Sequence, residues 1–363
     1  MILVEPELEP ALAAPSLSRD RLDVNESETH AGILRASVSG FSIYVTRALP
    51  EDGLRALREA PDVRLDVSPH DRPLAPEELA EALRDRDGAV VLLMDRIDDA
   101  LLARCPRLRA IGCFSVGTDN VDLAAARKRG VAVANAPGVL TEATADMTFA
   151  LLLAAARRIP EGDRLVREGL FPGWSPSFHL GLDVAGKTLG ILGAGRIGQA
   201  VERRARGFNM RVLYWSRAPK PGLDAVGAEH VSKEELLERS DFVSLHVALA
   251  PGTRHLIDEA ALRRMKRTAV LINTARGPVV DERALVNALR EKLIAAAGLD
   301  VFEDEPALAP GLATLPNVVL APHVGSATLE TRVAMARLAS EGVLALLRGI
   351  TPPNWVSGSA PRE

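Results

Sequence analysis

The sequence predicts an α/β fold of two doubly wound, parallel-sheet domains. Three observations lead there. The chain has 363 residues, enough for two cores of ordinary size. From Phe41 onward, short apolar runs alternate with amphipathic segments, the pattern of repeated strand–helix units. A loop rich in Gly, Pro and Trp then separates a first series of such units from a second.

The elements follow in order. Residues 1–40 show no steady apolar period and read as a flexible N-terminal extension. Residues 41–46 read as the first strand. Residues 51–60 read as a helix, with Leu54, Ala56 and Leu57 on its apolar stripe. Strands are expected at 89–93 and 108–114. A helix over 124–129 stops at Gly130, and a strand at 131–135 succeeds it. One long helix is expected over 141–158, with Thr141 as its cap. Residues 169–186 form the loop, and the second series begins at Lys187. Its strands are expected at 188–192, 211–215, 241–247, 269–273, 297–301 and 317–320. A last helix near 327–347 comes after that series, so the chain is expected to cross back to the first domain.

Composition narrows the partners. Hydrophobic residues make up 47% and charged residues 25%, the balance of a soluble globular protein. A net charge of -4 gives no reason to expect nucleic acid or an anionic membrane. No run approaches the ~18 apolar residues of a membrane helix. Glu5, Glu7 and Glu9 follow directly on Met1-Ile2-Leu3-Val4, unlike a secretory leader, so a cytoplasmic location is expected. Cys105 and Cys113 are too few for a disulfide framework and read as buried thiols. No metal site is assigned.

Gly193-Ala194-Gly195-Arg196-Ile197-Gly198 is G-x-G-x-x-G in the right context. A buried-type strand, Leu189-Gly190-Ile191-Leu192, precedes it. An amphipathic helix follows, with Ile197, Ala200, Val201 and Ala205 on one face. Gly193 permits the tight turn, Gly195 lets the backbone approach a pyrophosphate, and Gly198 lets the helix pack close to the strand. The acidic residue that would accept the ribose hydroxyls of NAD is missing at the end of the next strand. Ser216 and Arg217 stand there instead, with Lys220 nearby. A hydroxyl and a guanidinium suit a 2′-phosphate, so NADP is expected to be preferred over NAD.

Three later strand ends carry polar residues. They are Asn273-Thr274-Ala275-Arg276, Asp300-Val301-Phe302-Glu303-Asp304-Glu305 and Pro322-His323-Val324-Gly325-Ser326. Ligands gather at such carboxyl ends. A cation, a carboxylate and an imidazole are the parts that reduction of a 2-keto acid needs. Glu303 and Asp304 read as solvated neighbours. Of the seven histidines, only His323 has a matching Arg and Glu. His246 and His255 read as cofactor-side or packing residues.

On these strings, and on Gly117-Thr118-Asp119-Asn120, Leu140-Thr141-Glu142-Ala143-Thr144-Ala145-Asp146 and Arg206-Gly207-Phe208-Asn209-Met210, the chain resembles the D-isomer-specific 2-hydroxyacid dehydrogenases. Within that family it is most similar to the glyoxylate and hydroxypyruvate reductases. The resemblance covers nearly everything from Phe41 to about Val356. It implies a flavodoxin-like substrate domain over 41–140 and 326–356, and a Rossmann NAD(P)-binding domain over 141–325. It also implies a homodimer. Position by position it implies Arg276 as the substrate-binding arginine, His323 as the general acid/base and Glu305 as the carboxylate supporting it. Ionised Glu305 would favour the charged imidazole. Ala194, Gly195, Arg196 and Ile197 match the pyrophosphate loop, and Ser216 and Arg217 the adenosine-ribose loop. Thr274 and Ala275 match a backbone cofactor contact, Asp300 the partner of the nicotinamide amide, and Val324 and Gly325 the turn beside the ring. Val116 and Gly117 match the loop whose amides hold the substrate carboxylate. Ala248 departs from the family's usual Pro, and Met94 from a small polar residue at the substrate mouth. The implied activity is reduction of glyoxylate or hydroxypyruvate to the D-2-hydroxy acid. A 2-ketogluconate-type reductase and a dinucleotide-sensing interaction protein are the alternatives.

Overall fold

The computed structural model describes residues 40–359, so the expected N-terminal extension lies outside the described residues apart from Gly40. The apolar runs assemble into two parallel sheets. The first holds β1 (Phe41–Val45), β2 (Val63–Val67), β3 (Gly88–Val91), β4 (Ala110–Cys113) and β5 (Ala132–Ala134). Between them run helices α1 (Glu51–Arg58), α2 (Pro76–Leu83), α3 (Asp99–Arg104) and α4 (Leu123–Lys128). The strand order is β2-β1-β3-β4-β5. Every residue of β3, β4 and β5 is buried, as expected where helices cover both faces of a parallel sheet. Gly130 has φ 70, which ends α4 with a left-handed turn.

Helix α5 (Thr141–Arg157) leads to the second sheet. Two expectations change here. Thr141 is the first helical residue rather than the cap; Leu140 holds the cap position and no side chain caps the helix. The helix also ends one residue early, because Arg158 turns left-handed at φ 55. A separate helix α6 (Ile159–Arg167) follows. None of its residues is buried, so no core-facing period announces it.

The second sheet holds β6 (Thr188–Leu192), β7 (Arg211–Trp215), β8 (Glu229–His230), β9 (Phe242–Leu245), β10 (Val270–Asn273), β11 (Ala296–Leu299) and β12 (Val318–Leu320). Its helices are α7 (Arg196–Gly207), α8 (Pro221–Asp224), α9 (Lys233–Arg239), α10 (Glu259–Arg264) and α11 (Glu282–Arg290). The order is β12-β11-β10-β9-β6-β7-β8. Apolar clusters lie on both faces of this sheet. The order reverses between β6 and β9, which opens a crevice at their carboxyl ends.

The final helix, α12 (Leu329–Leu347), packs on α1, β3, β4 and β5 of the first sheet. Met335, Ala339 and Val343 join Ile43, Leu54 and Val90 in one core. Glycine makes that approach possible. A Cβ on Gly112 would stand 2.3 Å from the Ala339 carbonyl oxygen. Cys105 and Cys113 are both free and buried. Among the described residues no helix is long and apolar enough to cross a membrane.

Candidate active site

The Gly-rich turn sits at the crevice of the second sheet. Gly193 has φ 106, and a Cβ there would meet the His246 backbone at 2.6 Å. A Cβ on Gly198 would stand 2.2 Å from the Gly193 carbonyl oxygen, so only glycine lets α7 start this close to β6. Gly195 differs: no atom lies within 4 Å of its Cβ position. That side of the turn is therefore open, and Gly195 caps α7 with no side-chain bond. The amides of Gly195, Arg196 and Ile197 find no carbonyl partner among the described residues. Free amides at a helix start, with the Arg196 side chain exposed beside them, fit a pyrophosphate. Ala194 is buried beneath the turn.

At the end of β7 the Ser216 hydroxyl donates to the Ala218 carbonyl at 2.6 Å. His230 stands 3.1 Å from the Ser216 carbonyl oxygen, bracing the turn. His230 belongs to the edge strand β8. Arg217 is exposed and makes no side-chain hydrogen bond or ion pair among the described residues.

The three later strand ends converge. After β10, Asn273 pins the turn: its amide donates to the Arg276 carbonyl at 2.9 Å and its oxygen accepts from the Ala275 N–H at 3.0 Å. Thr274 bonds Thr148 of α5 at 2.9 Å. The Arg276 Nε donates to both oxygens of Asp119, at 3.1 and 3.2 Å, and Nη1 donates to the Ala275 carbonyl at 2.8 Å. Its Nη2 is thereby turned to Gly117, where a Cβ would stand 2.0 Å from it. The amides of Val116 and Gly117 make no hydrogen bond among the described residues.

After β12, His323 adopts φ 55, a costly conformation for a residue with a Cβ. Its N–H donates to the Asp300 carbonyl at 2.8 Å. The ring then places Nδ1 2.8 Å from Glu305 Oε2. The other Glu305 oxygen accepts from the Phe302 N–H at 2.9 Å. Burial alone would raise the Glu305 pKa; the His323 bond and charge, the Phe302 amide and Arg276 outweigh it and hold the carboxyl below its ordinary range. Asp300 accepts from the Val324 and Gly325 amides at 2.8 and 2.7 Å. Burial pushes its carboxyl up, against the pull of those two amides.

A cavity of about 530 Å³ connects these parts. Val116, Gly117, Gly195, Arg196, Arg276 and His323 all line it, and Ser216 and Arg217 lie outside its lining. Glu303 is not a solvated neighbour, contrary to expectation. It accepts from Arg254 at 2.8 Å, pairs with His255 at 2.6 Å, and braces the loop that carries Glu305. Asp304 is exposed. His246 is a lining residue bonded to Ser244 at 2.8 Å; burial pushes its imidazole down to about 3, so it is neutral. Arg47, Asp119 and Arg332 also line the cavity. Asp119 lay within a string already singled out; the two arginines carried no sequence signal.

The family profile described as "D-isomer specific 2-hydroxyacid dehydrogenase, NAD binding domain" matches residues 149–325. A glyoxylate reductase of Korarchaeum cryptofilum is 51% identical over 319 residues, 87% of this chain and 95% of the relative. A solved protein of Thermus thermophilus superposes with a TM-score of 0.82 at 48% identity, covering 87% of this chain and 99% of that one. An NADPH-dependent glyoxylate/hydroxypyruvate reductase of Sinorhizobium meliloti, solved with NADP and malonate, gives 0.79 at 33% identity, covering 90% and 99%. With the paired parallel sheets, the Gly-rich turn and the convergent strand ends, these likenesses place the chain in the D-isomer-specific 2-hydroxyacid dehydrogenase family, as a nicotinamide-dinucleotide-dependent oxidoreductase.

Proposed function

We propose that this enzyme reduces glyoxylate or hydroxypyruvate to the D-2-hydroxy acid, with NADPH preferred over NADH. The observation that carries this reading is the His323–Glu305 pair lining the same cavity as Arg276. The turn at Gly193–Gly198 would hold the pyrophosphate on open amides, and Asp300 would receive the nicotinamide amide beside Thr274, Ala275, Val324 and Gly325. The bound dinucleotide supplies a hydride to the carbonyl carbon. Arg276, with Nε and Nη1 occupied, offers Nη2 to the substrate carboxylate and carbonyl next to the open amides of Val116 and Gly117. His323 keeps Nδ1 on Glu305, so Nε2 is the atom that delivers the proton to the developing alkoxide. Ionised Glu305 stabilises the imidazolium that must be present before transfer. The first sheet with α12 would be the substrate domain, and the second the dinucleotide domain.

The cofactor preference rests on Arg217, an exposed guanidinium with no protein partner among the described residues, at the position of the missing acidic residue. A homodimer is the proposed assembly. It would cover the apolar side chains that α6 and the following loop expose, among them Ile159 at 55%, Phe171 at 52% and Trp174 at 86%. The proposed location is the cytoplasm. Oxidation of NADPH and NADH with glyoxylate and with hydroxypyruvate, and the configuration of the product, test the reading. Cofactor binding without turnover of any short 2-keto acid would instead favour a dinucleotide-sensing role.

A further inference from the structure

The substrate end of the cavity holds more positive charge than one carboxylate needs. Arg276 is already paired with Asp119, and His323 with Glu305. Two more arginines, Arg47 and Arg332, line the same space, and neither side chain makes a hydrogen bond or ion pair among the described residues. The Arg332 guanidinium carbon lies 5.5 Å from the centroid of the Phe114 ring, which is itself part of the first core. Burial lowers the basicity of that guanidinium, partly offset by Asp300, whose oxygens are already engaged by two amides. A half-buried cation with no direct ion pair is unfavourable, and stacking on one ring and a distant carboxylate compensate only in part. The arrangement makes sense if the missing anion arrives with a ligand.

The topology says where that anion would lie. Arg47 follows β1, Leu92 to Met94 follow β3, and Phe114 to Gly117 follow β4. These strands are neighbours, in the order β1-β3-β4. Arg47 therefore lies about two strand spacings, roughly 10 Å, from the Gly117 loop along the carboxyl edge. The strand order reverses at β1, which opens a crevice there as it does in the second sheet. Arg332 stands over Phe114 at the end of β4, on the same cavity as Arg47. A ligand anchored at Gly117 and Arg276 would run its tail past Arg332 toward Arg47. Glyoxylate has no tail, and the tail of hydroxypyruvate is neutral.

We propose that Arg332 and Arg47 form a distal anion subsite, and that the cleft takes 2-keto acids ending in a second anionic group, a carboxylate or a phosphate. This rests on the reading of the cleft as a 2-keto acid reductase site. The test uses the full chain with saturating cofactor. The substrates are glyoxylate as the monoanion, oxaloacetate and 2-oxoglutarate as dicarboxylates, and 3-phosphohydroxypyruvate as the phosphate. Arg332→Met and Arg47→Met remove charge while keeping an apolar stem; Arg332→Lys keeps the charge. The readout is the ratio of kcat/KM for each dianion to that for glyoxylate. Hydrogen bonds to charged groups are worth about ten- to hundredfold in affinity. The ratio should fall by that factor in Arg332→Met, fall less in Arg47→Met, and recover in part in Arg332→Lys. The arm that falls further, dicarboxylate or phosphate, identifies the anion. An unchanged ratio in both Met variants, with glyoxylate still reduced, overturns the subsite and leaves the reductase reading standing. So does a wild-type enzyme that reduces glyoxylate and 2-ketogluconate but no dianion. Bound NADPH with no turnover of any keto acid overturns both. Should thermal unfolding show that Arg332→Met does not fold, Arg47→Met at the outer end carries the same comparison.

Discussion

Replacing Gly117 by alanine isolates the placement of Arg276. The Gly117 backbone does not lie in the left-handed region, so alanine can adopt its conformation and the effect is purely steric. The added Cβ would stand 2.0 Å from Arg276 Nη2 and 2.5 Å from Asp119 Oδ1, against 3.4 Å for ordinary contact. The guanidinium must retreat by more than an ångström, and the Asp119 carboxylate that anchors it must give way as well. A misplacement of that size costs about a hundredfold in rate, or roughly 2.7 kcal/mol of transition-state stabilisation. Steady-state kinetics with glyoxylate should show kcat/KM reduced by about that factor. NADPH affinity, followed by nicotinamide fluorescence, should stay within about twofold, because the dinucleotide turn is on the other sheet. A kcat/KM within about threefold of wild type would refute the packing of Arg276 on Gly117. A matching loss of NADPH affinity would mean that the cleft as a whole had collapsed.

Three further outcomes are expected. Gly195→Ala should leave thermal unfolding unchanged, since its Cβ meets no atom within 4 Å, yet weaken NADPH binding; unaltered binding would remove the pyrophosphate from that turn. Glu305 is held below the ordinary carboxyl range, so it stays ionised and its bond to His323 Nδ1 stays intact until the pH falls below that range. Glu305→Gln removes that charge from beside the ring, so kcat with glyoxylate should fall while NADPH affinity is kept; an unchanged kcat would deny Glu305 that role. Arg217→Ala should raise the NADPH KM about ten- to hundredfold and spare NADH, and equal losses with the two cofactors would exclude a phosphate contact.

The strands of the second series were legible because parallel strands covered on both faces read as unbroken apolar runs. Thr188–Leu192 is buried at every residue, and its expected and observed limits coincide. Two of the four edge strands were not. Val63–Val67 interleaves Arg64 and Asp66 with apolar residues, and Glu229–His230 has only two residues. The Gly-rich turn was legible because Gly193 and Gly198 answer to neighbours in the adjoining strand or close in sequence, and Gly195 leaves its side of the turn open. Arg276, Glu305 and His323 could be singled out as strand-end residues, though only the fold brings them together. Asp119 acts on a partner 157 residues away, and nothing local to it encodes that meeting. Glu303 misled for a similar reason: its partners Arg254 and His255 come from a distant loop.

The return of α12 has a consequence for biosynthesis. The half of the enzyme that leaves the ribosome first is finished last. Its core takes Met335, Ala339 and Val343 from the far end of the chain. Until they emerge, Ile43, Leu54 and Val90 have no lid, and the spaces that Gly53 and Gly112 reserve for Ala336 and Ala339 stand open. The second sheet draws its strands from one unbroken stretch and suffers no such delay. Nascent chains of this architecture therefore expose an unfinished apolar sheet for most of translation, and that sheet is where a ribosome-associated chaperone would act.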